Sequence, residues 1–158
     1  MRLLPVRCER ESRRVDLVVD KEVVERRLRR LEESFQKLRF ASENSLEEFL
    51  ENDMIRDSVE RNLQVAIQIC IDIGAHFVAS LGFRTPETYA DIFVILREER
   101  ILSDSQSGVM QRMAGLRNIL VHDYLEIDPV LVYEHLNSLN DFAEFAREII
   151  EAVDRYSS

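Results

Sequence analysis

Apolar residues recur along most of this chain at intervals of three and four, the spacing that lines one face of an α-helix. Val23, Val24, Leu28, Leu31, Phe35 and Leu38 form one such stripe and predict a helix from just after Asp20 to about Ala41. Ser45-Leu46-Glu47-Glu48 is a capping-box pattern and opens a short helix over Leu46 to Glu51. A long helix follows from about Met54 to Leu81, with Gly82 as its stop. Thr85-Pro86 reads as a cap and a first-turn proline, starting a helix through Tyr89, Ile92, Phe93 and Leu96 to about Ile101. After a break over Ser103 to Gly108, Val109, Met113, Leu116 and Leu120 mark another helix. Asp128-Pro129 repeats the cap pattern and opens a last helix through Leu131, Leu136, Leu139, Phe142 and Phe145 to about Val153.

With 4 glycines, 3 prolines and few alternating β-branched runs, helix is the only regular structure the chain supports, so the class is all-α. Short connections between long amphipathic helices predict an antiparallel up-and-down bundle of about five main helices. A single domain is expected over residues 20–158, preceded by an irregular arm over residues 1–19.

Charge narrows the function classes. A net charge of −9 argues against gripping nucleic acid over the whole surface, because backbone binding requires phosphates to be neutralised by Lys and Arg. The charge is uneven, however. Residues 1–40 carry 12 basic and 8 acidic side chains, whereas residues 41–158 carry 9 basic and 22 acidic ones. Only Lys21 and Lys37 are lysines; every other cation is arginine, which offers planar bidentate contacts to phosphate. Cys8 and Cys70 are the only cysteines, and Cys70 lies in the apolar run Ala66 to Ile73, which points to a buried reduced thiol and a cytoplasmic protein. Leu63 to Phe83 is interrupted by Gln64, Gln68, Asp72 and His76, so no membrane span is expected there. The stretch Met1 to Arg14 lacks the apolar centre of a secretory signal.

Two constellations carry candidate chemistry. Arg117, Asn118, His122 and Tyr124 fall within about two turns of one helix, with Asn118 and His122 on one face. An imidazole exchanges protons near neutral pH, and a guanidinium holds oxygens on which negative charge accumulates. Such parts suit a metal-free attack by a ribose 2′-hydroxyl on the adjacent phosphate. The same residues also suit the plain task of complementing a helix C-terminus and its carbonyls. Arg117 and His122 sit about 140° apart on an ideal helix. Joint action therefore requires the reach of the arginine, a distorted helix end, or a second copy of the chain. The second constellation is Gln64, Gln68, Asp72 and His76, a row of polar residues at four-residue spacing on an apolar helix. It either lines the same cleft, with Asp72 pairing with Arg117 or orienting a histidine, or faces solvent or another subunit. Asp72 and His76 could also ligate a metal from adjacent turns, although no HExxH or clustered CxxC accompanies them.

The pattern from Leu116 to Tyr124, with Arg117, four residues, His122, one residue and Tyr124, resembles the signature of the HepT-like ribonuclease toxins of the HEPN superfamily. Arg61 to Gln68, Ile71 to His76, Tyr89 to Leu96, Arg112 to Asn118 and Val132-Tyr133 resemble the same family, so the likeness covers roughly Asp20 to Ile150. It implies an all-helical homodimer with the two motif helices near a shared cleft, acting on RNA as an endoribonuclease without metal or other cofactor. By matching position, it implies that Arg117 and His122 are catalytic, that Asn118, Asp72 and His76 support them, and that Tyr124 is a modification site. The implied partner is an MntA-type nucleotidyltransferase antitoxin that transfers AMP to Tyr124. The alternative is a non-catalytic helical module that binds a nucleotidyltransferase and assists nucleotide or substrate binding. The arm over Met1 to Asp16 and the strong acidity depart from this pattern.

Overall fold

The computed structural model describes residues 17–123 and 126–157. The arm expected over residues 1–19 lies mostly outside that range, as does Tyr124. Its last residues run extended, and the Val19 N–H reaches the Tyr156 carbonyl at 3.2 Å, tying the start of the described chain to its far end.

Among the described residues there are seven α-helices: α1 (Lys21–Ala41), α2 (Leu46–Glu51), α3 (Asp53–Ser80), α4 (Tyr89–Glu98), α5 (Asp104–His122), α6 (Pro129–His135) and α7 (Asn140–Tyr156). A single 3-10 turn, Leu136–Ser138, separates the last two. Most boundaries sit where the caps place them. Asp20 accepts from the Val23 N–H at the head of α1, and Ser45 and Glu48 exchange both bonds of the capping box at 3.1 Å. Asn52 accepts the Met54 and Ile55 amides, so the chain breaks for one residue and restarts as α3. At the other end of α3, Gly82 takes φ +65°, and the Phe83 N–H returns to the Val78 carbonyl at 3.1 Å, closing a Schellman turn.

Three boundaries differ from the sequence expectation. The motif helix α5 begins at Asp104, inside the expected break over Ser103 to Gly108, because Ser103 caps it by accepting the Gln106 amide. Thr88, not Thr85, caps α4, through a 3.0 Å bond from the Asp91 amide. Arg84 explains the shift: it grips Asp91 at 2.8 and 2.9 Å and Glu98 at 3.0 and 3.1 Å, laying Thr85 to Glu87 along α4 as a loop. The expected last helix is two helices. Asn137, Ser138 and Asn140 are weak helix formers, and the two halves serve different neighbours. Tyr133 on α6 donates to the Asn44 carbonyl at 2.7 Å and packs its ring 5.3 Å from Phe49, whereas Phe145 on α7 meets Phe93 edge-on.

The helices form a bundle around α3. The start of α1 meets the end of α3 through Asp20 and His76, and the end of α1 shares a groove with Asn52, Met54 and Ser58, so the two run antiparallel. Ile67, Ile71, Ile73 and Phe77 of α3, with Phe93 and Ile95 of α4, are fully enclosed. By length and composition α3 could cross a membrane, but 56% of its apolar window is buried within the bundle, as the central helix of a packed fold requires. Cys70 is inside this core, and burial pushes its thiol well above the ordinary range. α3 and α4 touch closely at Gly74, where a Cβ would stand 2.6 Å from Ile92 Cγ2.

Candidate active site

Ser103 caps α5 by accepting the Gln106 amide, and the buried Ser107 hydroxyl donates to the Phe93 carbonyl at 2.7 Å, holding α5 against α4. The helix then runs without distortion to its end, since the Asp123 N–H still bonds to the Ile119 carbonyl at 2.9 Å. Asn118 and His122 are both exposed, one turn apart.

Arg117 behaves differently from its neighbours. It is half-buried and turns inward, donating from Nε to Gln68 Oε1 on α3 at 2.9 Å. Its guanidinium lies over the Tyr89 ring of α4, 5.0 Å from the centroid, and Nη1 reaches Asn118 Oδ1 at 3.4 Å. Among the described residues no carboxylate forms a salt bridge with it. Pro86, Glu87, Thr88, Tyr89, Ile92 and Asn118 line a shallow cavity of about 430 Å³ beside it.

The polar row on α3 connects to this arginine in a way that spacing did not reveal. Gln68 Nε2 donates to Asp72 Oδ1 at 2.9 Å, and Asp72 Oδ2 receives Arg27 Nη1 of α1 at 3.3 Å. Among the described residues Asp72 therefore bonds Gln68 and Arg27, and neither Arg117 nor a histidine. Arg27 approaches it from the opposite side, and Gln68, one turn nearer the motif, takes the contact with Arg117. Arg27 Nε is buried without a hydrogen-bond partner among the described residues. His76 lies a further turn away and serves the start of α1: its Nε2 accepts from the Asp20 amide at 3.2 Å, with Ser80 Oγ at 3.4 Å. Burial pushes the His76 pKa down, which suits an unprotonated acceptor nitrogen. Asp72 and His76 thus have separate partners, and among the described residues no group of three or more His, Cys, Asp or Glu side chains gathers as a metal site would.

Two contacts of Arg117 escaped the sequence reading. Gln68 belonged to the polar row, but its role as the anchor of Arg117 depends on how α5 crosses α3. Tyr89 lay on a helix and in a stretch that carries the family resemblance, but nothing local marked it as a partner of Arg117.

The arrangement presents a positive charge anchored by a neutral amide and an aromatic ring, with an exposed amide beside it and an exposed imidazole at the same helix end. Such a cation is available to an anion, because no described acid compensates it. Arg117 and His122 still diverge by about 140° around the undistorted helix.

Comparison with known proteins places the chain in a family. The chain is 33% identical over 106 residues to the mRNA nuclease HepT of Shewanella oneidensis, spanning 66% of this chain and 79% of that protein. It is 29% identical over 128 residues to the tRNA nuclease HepT of Aphanizomenon flos-aquae, spanning 80% and 87%. Its fold superposes with a TM-score of 0.77 on a tri-AMPylated HEPN toxin from Shewanella oneidensis solved in complex with an MNT antitoxin, at 26% identity over 84% of this chain and 99% of that one. The model of the Ribonuclease HepT-like family matches residues 21–149, and the chain belongs to that family.

Proposed function

We propose that this protein is the toxin of a toxin-antitoxin pair, an endoribonuclease that cuts RNA without a metal ion. The ribose 2′-hydroxyl attacks the adjacent phosphorus and the bond to the 5′-oxygen breaks, leaving a 2′,3′-cyclic phosphate and a 5′-hydroxyl. His122 moves the proton from the attacking oxygen or to the leaving one, and Arg117 holds the non-bridging oxygens. The observation that carries this reading is the state of Arg117: half-buried, held by Gln68 and Tyr89, and free of any described counter-charge in a chain of net charge −9. The similarity to nucleases that act on mRNA and tRNA supports RNA as the substrate class.

His122 and Arg117 diverge by about 140° around a regular helix, while Arg117 Nη1 reaches Asn118 on the His122 face at 3.4 Å; a second copy of the chain would supply an opposed pair. The protein acts as a homodimer in which Arg117 of one subunit and His122 of the other face the same phosphate. Neutralisation comes from an MntA-type nucleotidyltransferase that transfers AMP to Tyr124, two residues beyond His122. Added phosphates at that place would occupy the substrate's position and repel RNA. The buried, unreactive thiol of Cys70 suits the reducing cytoplasm.

The test is cleavage of total RNA by the wild-type chain and by His122→Ala. Loss of a general acid-base group should lower the rate by about 10²- to 10⁴-fold with the helical spectrum intact; unchanged cleavage would sink the assignment. Intact-mass analysis after co-expression with the nucleotidyltransferase should show added AMP in wild type and none in Tyr124→Phe.

A further inference from the structure

A second cluster of arginines lies outside the motif. Arg26, Arg27, Arg29 and Arg30, with Val23 and Glu33 of α1 and Ile69 of α3, line a groove of about 600 Å³. Its walls hold four cations against one acid, in a chain where acids outnumber cations. Arg26 and Arg29 are exposed and form no salt bridge among the described residues, and the Arg30 to Glu33 pair, at 3.5 Å, is an exposed one of the kind that contributes little. Only Arg27 is committed, to Asp72.

That one commitment connects the groove to the motif. Arg27 bonds Asp72, Asp72 bonds Gln68, and Gln68 bonds Arg117, at 3.3, 2.9 and 2.9 Å. Asp72 and Gln68 occupy successive turns of α3, with about 5–6 Å between such neighbours. The groove therefore begins roughly one helical turn from the anchor of Arg117. Arginine forks match phosphate oxygens, and exposed arginines such as Arg26 and Arg29 beside a phosphate-reactive centre are the electrostatic pattern of a backbone track.

We propose that the groove between α1 and α3 binds the phosphodiester backbone of single-stranded RNA flanking the cleaved bond, and feeds it to Arg117. This inference rests on the ribonuclease reading for its direction, but its test does not depend on cleavage. Fluorescence anisotropy of a labelled single-stranded RNA 20-mer would be measured against His122→Ala protein over a range of KCl concentrations. Two further variants in that background remove equal charge: Arg26→Gln with Arg29→Gln in the groove, and Arg147→Gln with Arg155→Gln on α7.

The groove pair should lower the slope of log affinity against log salt by about 1.4, at roughly 0.7 per lost phosphate contact on a single strand. The loss should be similar for RNAs of different sequence, as expected of backbone contacts. The α7 pair should leave the slope unchanged. Equal losses from both pairs would mean a bulk charge effect and overturn the proposal, as would the absence of RNA binding. Groove variants that bind RNA normally but lose self-association would assign the arginines to a protein interface and overturn it too. Arginine-dependent binding by a chain whose wild type cuts no RNA would instead defeat the ribonuclease reading and leave the groove standing.

Discussion

Gln68 Oε1 accepts from Arg117 Nε at 2.9 Å, and this contact between α3 and α5 anchors the guanidinium without neutralising it. A carboxylate in the same place would hold the arginine equally well and cancel the charge that makes it useful. Gln68 is thus a positioning residue, acting on substrate through Arg117. Gln68→Ala should lower kcat by up to about 100-fold, the scale expected when a reacting group is misplaced by an ångström, with a smaller change in KM. Gln68→Glu should retain the fold and also lose activity. Full activity in Gln68→Glu would show that the charge state of Arg117 is irrelevant.

The regularity of α5 leads to a mixing experiment. Arg117→Ala and His122→Ala are each expected to be inactive, yet a dimer containing one of each retains one intact pair if the site is shared between subunits. After equal mixing and subunit exchange, activity should recover to about a quarter of wild type for a two-fold symmetric dimer. Lack of recovery, with exchange verified by mass, would place both residues' action within one chain.

Stability should depend on histidine titration. Burial pushes His76 and His135 below the ordinary value of 6.5. The unfolded chain therefore binds protons that the folded chain resists. This contribution is fully present above about pH 6.5 and is lost as pH falls from there toward the depressed folded values. For His76 the cause is visible: protonation of Nε2 ends its acceptance of the Asp20 amide, beside Arg27 and Ser80. The carboxyls of Asp91, pulled down to about 2, and Glu98 are held low by Arg84 and report in a more acid window. Wild type should lose Tm between pH 7 and pH 5, and His76→Gln with His135→Gln should lose less. Equal losses in both proteins would count against the assignment.

Gly74 lets α4 approach α3 closely at Ile92 and Leu96. The Cβ of Gly74→Ala would meet Ile92 Cγ2 at 2.6 Å and Leu96 Cδ1 at 3.4 Å. Overpacking of about 1–3 kcal/mol, offset in part by a helix-propensity gain of about 1 kcal/mol, leaves a net loss of about 1 kcal/mol in urea denaturation. Combination with Ile92→Ala should show favourable coupling. Strict additivity would argue that the two residues do not compete for space.

Much of the architecture was legible because the signals for it are local. Asp20, Ser45 and Gly82 each act within a turn of themselves, and the stripe on α1 needs only the helical period to be recognised. Thr88 was not legible as a cap, since Arg84 decides the path of the preceding loop by reaching seven and fourteen residues ahead. The division between α6 and α7 was equally hidden, because it follows from docking on different neighbours.

By itself the sequence determined the all-helical class, the motif helix and the residue types available at its end, all properties of spacings within a few turns. Only the tertiary structure decided that Gln68, not Asp72, holds Arg117, that Tyr89 lies beneath its guanidinium, and that Arg27 of α1 connects to it through Asp72 and Gln68. The contacts between helices join residues from 28 to 49 positions apart in the chain, and which side chains meet at such separations depends on how packed helices cross, which no local period encodes.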